Sequence, residues 1–149
     1  MYTKQHNLDM EILQLLVNNG FPINKQGTFL YKDVVVNIIQ FLENSTEESE
    51  IIKLKEQLKK KCSQFYFDIA RNDNDMGVAT FHKCIEEATE IAKRNNPNKI
   101  KQLCKGKDLD YKDMALVLAE KILKNNEEKE KSLPKENKAI RRVLTMGNL

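Results

Sequence analysis

The stretch "FLYKDVVVNIIQFLEN", residues 29–44, decides whether this chain is all-helical, because its β-branched residues also suit a strand. The stretch exceeds the usual length of a strand, and its apolar residues recur at the spacing of one helix face. These residues are Val34, Val35, Ile38, Ile39 and Leu42. We therefore predict a helix here. The five glycines and three prolines of the whole chain leave few breaks for a many-turned β fold.

Around this helix the sequence predicts an all-α domain of six helices. The segment "LDMEILQLLVNN" begins at Leu8, and Gly20 follows where a glycine commonly ends a helix. The segment "EESEIIKLKEQLKKKCSQFYFDIAR" can be one long helix or two, and it counts here as two. The last two helices are "ATFHKCIEEATEIAKRNN" and "DYKDMALVLAEKILKNN".

Length and composition place the chain among folded globular proteins. Its 149 residues suit one domain, and 40% hydrophobic with 32% charged residues argue against disorder. The net charge is only +3, so a basic surface requires clustering of its lysines and arginines. Three cysteines and no secretory signal at the start favour a cytoplasmic location. No apolar run approaches the roughly 20 residues of a membrane span, so no membrane association is expected.

A change of composition near Asn125 predicts the boundary of the domain. Residues 1–124 form the predicted helical domain, and residues 125–149 a charged, solvated tail. The end of this tail can also form a short docking helix, because apolar residues recur there at helical spacing. They are Ile140, Val143 and Leu144.

The segment near residues 62–94 can be a helix-turn-helix or a plain helical hairpin with a solvated outer face. The predicted inward face of its second helix consists of Val78, Phe81, Ile85, Ala88 and Ile91. In a helix-turn-helix, the outward residues near the start of this helix contact base edges. The candidates are Thr80, His82 and Lys83. The candidates for phosphate contacts are Lys93, Arg94 and Lys25.

Several motifs follow one another in an order that resembles a known regulatory domain. Two glycines and a proline, Gly20, Pro22 and Gly27, lie in "NNGFPINKQGTFLYKDVVVNII", and an Asp-Ile-Ala tripeptide begins at Asp68. The order of these motifs, of "ATFHKCIEEATEIAKRNN" and of "DYKDMALVLAEKIL" resembles the C-terminal effector domain of the master sporulation response regulator of spore-forming Firmicutes. The likeness extends over residues 8–123.

The resemblance implies a cytoplasmic, non-enzymatic transcriptional regulator of sporulation type that binds double-stranded DNA without a cofactor. No receiver domain is expected ahead of this domain, so control by aspartyl phosphate is not expected either. The family has arginines at the places of Thr80 and Glu86, and bidentate recognition of guanine is an arginine property. We therefore expect this chain to prefer a different DNA sequence from the one that the family recognises. The turn at residues 72–76 is one residue longer than in the family.

The main alternative is a protein-interaction module, an antagonist or adaptor that keeps the fold. Glu86, Glu87 and Glu90 support it, because carboxylates on this helix repel phosphates. A homodimer or a complex with another regulatory protein is compatible with either function. An enzyme is the least favoured class, since the sequence has no phosphate-binding loop, His-Glu-x-x-His motif or nucleophile elbow. His82 and Cys84 are two residues apart on a helix and point in different directions, so no metal site is predicted.

Overall fold

The computed structural model describes residues 2–132, with side chains from 7 to 127, and all regular structure in this range is helical. Its seven α-helices are α1 (Tyr2–Asn18), α2 (Gln26–Asn44), α3 (Glu48–Lys59), α4 (Gln64–Asp68), α5 (Val78–Asn95), α6 (Pro97–Leu103) and α7 (Tyr111–Ser132). A π-helical turn, Ile69–Asp73, directly follows α4. The all-α prediction is confirmed, and the described part of the chain has seven helices where six were predicted.

Helix α6 accounts for the difference in the number of helices. It has only seven residues, of which Ile100 and Leu103 are buried, so its sequence carries too few apolar residues to show a helical period. Pro97 suits the first position of a helix, where its missing N–H is not needed. The segment that could be one helix or two is divided between α3 and α4, with a break at residues 60–63.

Helix α7 extends beyond the predicted boundary at residue 124. It continues to Ser132, so the first residues of the predicted tail are helical. The docking helix considered around Ile140 lies outside the residues that the structure describes.

Helix α2 lies at the centre of the fold and packs against α1, α5 and α7. It is buried on more than one side, which explains why its sequence is apolar enough to resemble a strand. Tyr31 on α2 is fully buried, and its hydroxyl donates a hydrogen bond of 2.6 Å to the carbonyl oxygen of Tyr111 at the start of α7. The predicted helix over residues 29–44 is confirmed.

The turn between α1 and α2 is held by local hydrogen bonds. Gly20 has φ +99°, and the amides of Gly20 and Phe21 bond back to the last turn of α1, as in a glycine-terminated helix. The Phe21 ring then stacks on the Tyr31 ring with centroids 5.4 Å apart. Thr28 closes the turn, because its hydroxyl donates to the carbonyl oxygen of Pro22 at 2.6 Å.

Helices α2 and α5 meet backbone to backbone at Gly27. A Cβ atom on Gly27 would lie 1.9 Å from the carbonyl oxygen of Cys84 and 2.9 Å from the Cβ of Ala88. Only a hydrogen atom fits in this space, so the glycine is required for its small volume. This contact fixes the distance between the first turn of α2 and the middle of α5.

We predict that Gly27→Ala lowers the free energy of unfolding by about 3 kcal/mol or more, since a rigid backbone must move to admit the methyl group. Gly77→Ser is the matched control, because a Cβ on Gly77 meets nothing within 4 Å and serine caps a helix well. Urea denaturation measures both variants. If Gly27→Ala cost no more than the control, the close approach of α2 and α5 would be wrong.

Candidate nucleic-acid interface

Helix α5 presents one exposed stripe of side chains along its length. The stripe consists of Thr80, Lys83, Glu87, Glu90 and Arg94, and Ala79 and Asn95 at the two ends of the helix are also exposed. On the opposite side Phe81, Ile85 and Ala88 are fully buried, as predicted, while Val78 and Ile91 are half-buried at the edges of that face. The hydrophobic period of the sequence therefore identified the buried side of α5.

The first turn of α5 is open to an external hydrogen-bond acceptor. Gly77 precedes the helix, and no described side chain caps its N-terminus. The Phe81 amide bonds to the Gly77 carbonyl oxygen, which leaves the amides of Val78, Ala79 and Thr80 ahead of the first intrahelical bond. Free amides and the positive end of the helix dipole favour an anion at this position.

Three consecutive lysines precede α4, the last of them in contact with α5, and we call residues 59–61 the lysine corner. All three side chains are exposed. Lys61 fixes the corner to α5 twice, because its Nζ lies 2.7 Å from Glu86 Oε1 and its carbonyl oxygen is 2.7 Å from His82 Nε2. The sequence analysis did not select these lysines, although the run "KKK" was the visible signal.

A shallow groove of about 300 Å³ separates α5 from the loop before α2. It brings together three of the predicted site residues, Lys25, Lys83 and Arg94. The same groove is lined by Glu86, Glu87, Glu90 and Ile91. The hydrogen bond from Lys61 holds the pKa of Glu86 below its ordinary value, so this carboxylate is charged at neutral pH. The groove therefore carries charges of both signs.

The prediction that His82 faces outward is wrong. The side chain is 4% exposed and lies edge-on to the Tyr66 ring, with centroids 4.6 Å apart. Its Nε2 faces the Lys61 carbonyl oxygen, which can only accept, so Nε2 carries the proton. Its Nδ1 accepts a hydrogen bond of 2.7 Å from the Tyr111 hydroxyl. Both ring nitrogens are satisfied inside the protein, and His82 cannot contact a base.

Lys93 is also turned to a different surface from the one predicted. Its Nζ donates to the carbonyl oxygen of Leu109 at 3.1 Å and lies 3.9 Å from the carboxylate of Asp108. It lines a second hollow, beside α6, whereas Arg94 lines the groove. Of the six predicted contacts, Thr80, Lys83, Arg94 and Lys25 remain exposed.

The cysteines and acidic residues show no metal-binding arrangement among the described side chains. No group of three histidine, cysteine, aspartate or glutamate ligands comes together there. Cys62, Cys84 and Cys104 are free thiols.

We predict that His82 makes the stability of the protein depend on pH. Burial lowers the pKa of His82 below its ordinary value of about 6.5. Above that value His82 is neutral in both the folded and the unfolded protein, and its contribution to the free energy of unfolding is fully present. As the pH falls below it, the unfolded chain takes up the proton first, so the free energy of unfolding decreases.

Denaturation at a series of values between about pH 5 and 7.5 measures this effect. The parent should lose stability towards the acidic end, whereas His82→Gln, although less stable at neutral pH, should show a flatter profile over the same interval. Parallel profiles for the two proteins would show that His82 is not the titrating group.

Comparison with known proteins identifies no relative of this chain. No protein-family model matches the chain, and no curated protein or solved structure matches it. None of the described helices is both long and apolar enough to cross a membrane. The resemblance of residues 8–123 to the sporulation effector domain thus rests on the quoted motifs alone.

Proposed function

We propose that the protein is a sequence-specific DNA-binding transcriptional regulator whose α5 enters the major groove with its N-terminal half. The observation that carries this proposal is the exposed, uncapped start of α5, together with the contacts that Lys61 of the lysine corner makes with the N-terminal half of that helix. An exposed helix end with free amides can approach a phosphate closely, and flanking lysines add attraction that does not depend on sequence. The resemblance to the sporulation effector domain supports the same function.

In this proposal, α4 with its π turn and α5 act as the helix-turn-helix. The π turn is stabilised by the Asn74 side chain, which donates to the carbonyl oxygen of Ile69 at 2.9 Å, and by the Met76 amide, which bonds to Ala70. A π turn holds one more residue than an α turn. It ends within the turn at residues 72–76, where the sequence is one residue longer than the family it resembles.

Thr80 and Lys83 are the residues that we assign to base contacts, since both are exposed in the first two turns of α5. Lys25, Arg94 and the lysine corner are assigned to phosphates on either side. The N-terminal half of α5 is favoured over the C-terminal half, because Lys61 of the lysine corner contacts it at His82 and Glu86, whereas Glu87 and Glu90 follow further along the helix.

We predict that two substitutions on α5 separate phosphate contacts from base contacts. Arg94→Ala should weaken binding to all sequences alike and lower the salt slope by about one unit, as for the loss of one phosphate contact. Thr80→Arg should instead change the preferred site, since an arginine discriminates guanine by about 1–3 kcal/mol.

Fluorescence anisotropy across a salt series, with sites selected from random DNA, measures both variants. Lys124→Ala is the control. This exposed lysine lies about 20 Å along α7 from Tyr111, the α7 residue whose hydroxyl bonds to His82 on α5. If both α5 variants matched the parent and the control at every salt concentration, α5 would not lie in the groove of DNA.

We predict that Glu86→Gln strengthens DNA binding by about two- to fivefold at low salt. The substitution removes a negative charge from the groove. It also releases Lys61, which in the parent protein pairs with Glu86 at 2.7 Å. Glu120→Gln makes the same charge change on an exposed position of α7 and is the control. Equal affinities for these two variants would show that the Lys61–Glu86 pair does not border the DNA.

A protein-interaction module is the second candidate, and the mixed charge of the groove favours it. Lys25, Lys83 and Arg94 surround the half-buried Ile91 together with three glutamates, a composition that suits a peptide better than a polyanion. Phe67 on α4, outside the groove lining, is 43% exposed and has Arg71 over its ring at 5.7 Å, which adds an exposed apolar side chain that a partner protein can cover. A stoichiometric protein complex without any salt-sensitive DNA binding would establish this function in place of the first.

A further inference from the structure

A second hollow, of about 400 Å³, lies between the end of α5, helix α6 and the loop before α7. We call it the α6 pocket. Its volume falls within the range of small-molecule sites, which is about 300–1,000 Å³. It does not share a lining residue with the groove of the proposed DNA interface.

The floor of the α6 pocket is apolar. Ile100 and Cys104 line it and are 6% and 3% exposed, and the half-buried Leu109 and the exposed Pro97 add apolar lining. Burial raises the pKa of the Cys104 thiol, so the sulfur is neutral at neutral pH and does not repel an anion. This floor suits the hydrocarbon part of a ligand.

The rim of the α6 pocket is basic. Three lysines, Lys93, Lys101 and Lys107, line it with a single carboxylate, Asp108. Asp108 is fully exposed and lies 3.9 Å from Lys93, so water screens its charge. The bond from Lys93 to Leu109 uses one of the three N–H donors of the ammonium group and holds it at the pocket wall.

We propose that the α6 pocket binds a small organic anion that has an apolar body, such as a medium-chain carboxylate. The apolar floor takes the body, and the excess of two positive charges on the rim takes the anionic group. Lys93 holds the anion at the wall, while Lys101 and Lys107 attract it from the rim. This site is independent of the proposed DNA contacts, and its test does not involve DNA.

The test uses anilinonaphthalene sulfonate, a fluorescent probe with an apolar body and one sulfonate group. The chain contains no tryptophan, so the probe signal is read without interference. We expect saturable binding of about one probe per chain, and displacement by octanoate but not by octylammonium. Octanoate should also raise the thermal midpoint of unfolding, which excludes binding to unfolded chain.

Two matched double variants locate the binding. Lys101→Glu with Lys107→Glu reverses exposed charges on the rim and should weaken probe and octanoate binding by about tenfold or more. Lys59→Glu with Lys60→Glu makes the same change at the lysine corner and should leave binding unaltered. Circular dichroism confirms that both remain folded, as exposed side chains allow.

Three results would overturn the proposal. They are the absence of saturable binding, displacement by octylammonium as effective as by octanoate, and an equal loss of binding in the two double variants.

Discussion

The direct contact between the backbones of α2 and α5 at Gly27 is the constraint on which the rest of the structure depends. With 1.9 Å between a virtual Cβ and the Cys84 carbonyl oxygen, no side chain can separate the two helices. The contact places the loop that carries Lys25 beside α5, and so creates the groove that Lys83 and Arg94 share. The proposed interface is therefore a consequence of how closely the core helices pack.

Buried hydrogen bonds add directional contacts between the packed helices. Tyr31 bonds to the backbone of Tyr111, Tyr111 bonds to His82, and His82 bonds to the backbone of Lys61. This series connects α2, α7, α5 and the turn before α4 through directional contacts, whereas apolar packing alone allows some rotation. It fixes the face that α5 turns to solvent and holds the lysine corner next to it.

Helix positions could be predicted from the sequence wherever a long apolar period existed, as in α2 and α5, but the short α6 offered too few apolar residues for a period. The site was predicted less well. His82 was assigned to the surface because the helical spacing left it off the inward face of α5, and only its tertiary partners explain its burial. Lys61 and Glu86 are 25 residues apart, and no local pattern reveals such a pair. The same helical spacing placed Thr80 and Lys83 on the outer face, and both are exposed.

The bond between His82 and Tyr111 also constrains how this protein can evolve. A phenylalanine at position 111 would leave Nδ1 of a buried imidazole without a donor, and an apolar residue at position 82 would leave the Tyr111 hydroxyl without its acceptor. Each replacement alone is costly, whereas exchange of both for apolar residues of similar size removes the hydroxyl and the imidazole together, and the remaining cost is the lost bond to the Lys61 carbonyl oxygen. The two positions should therefore change in concert among descendants of this sequence, although they are 29 residues apart.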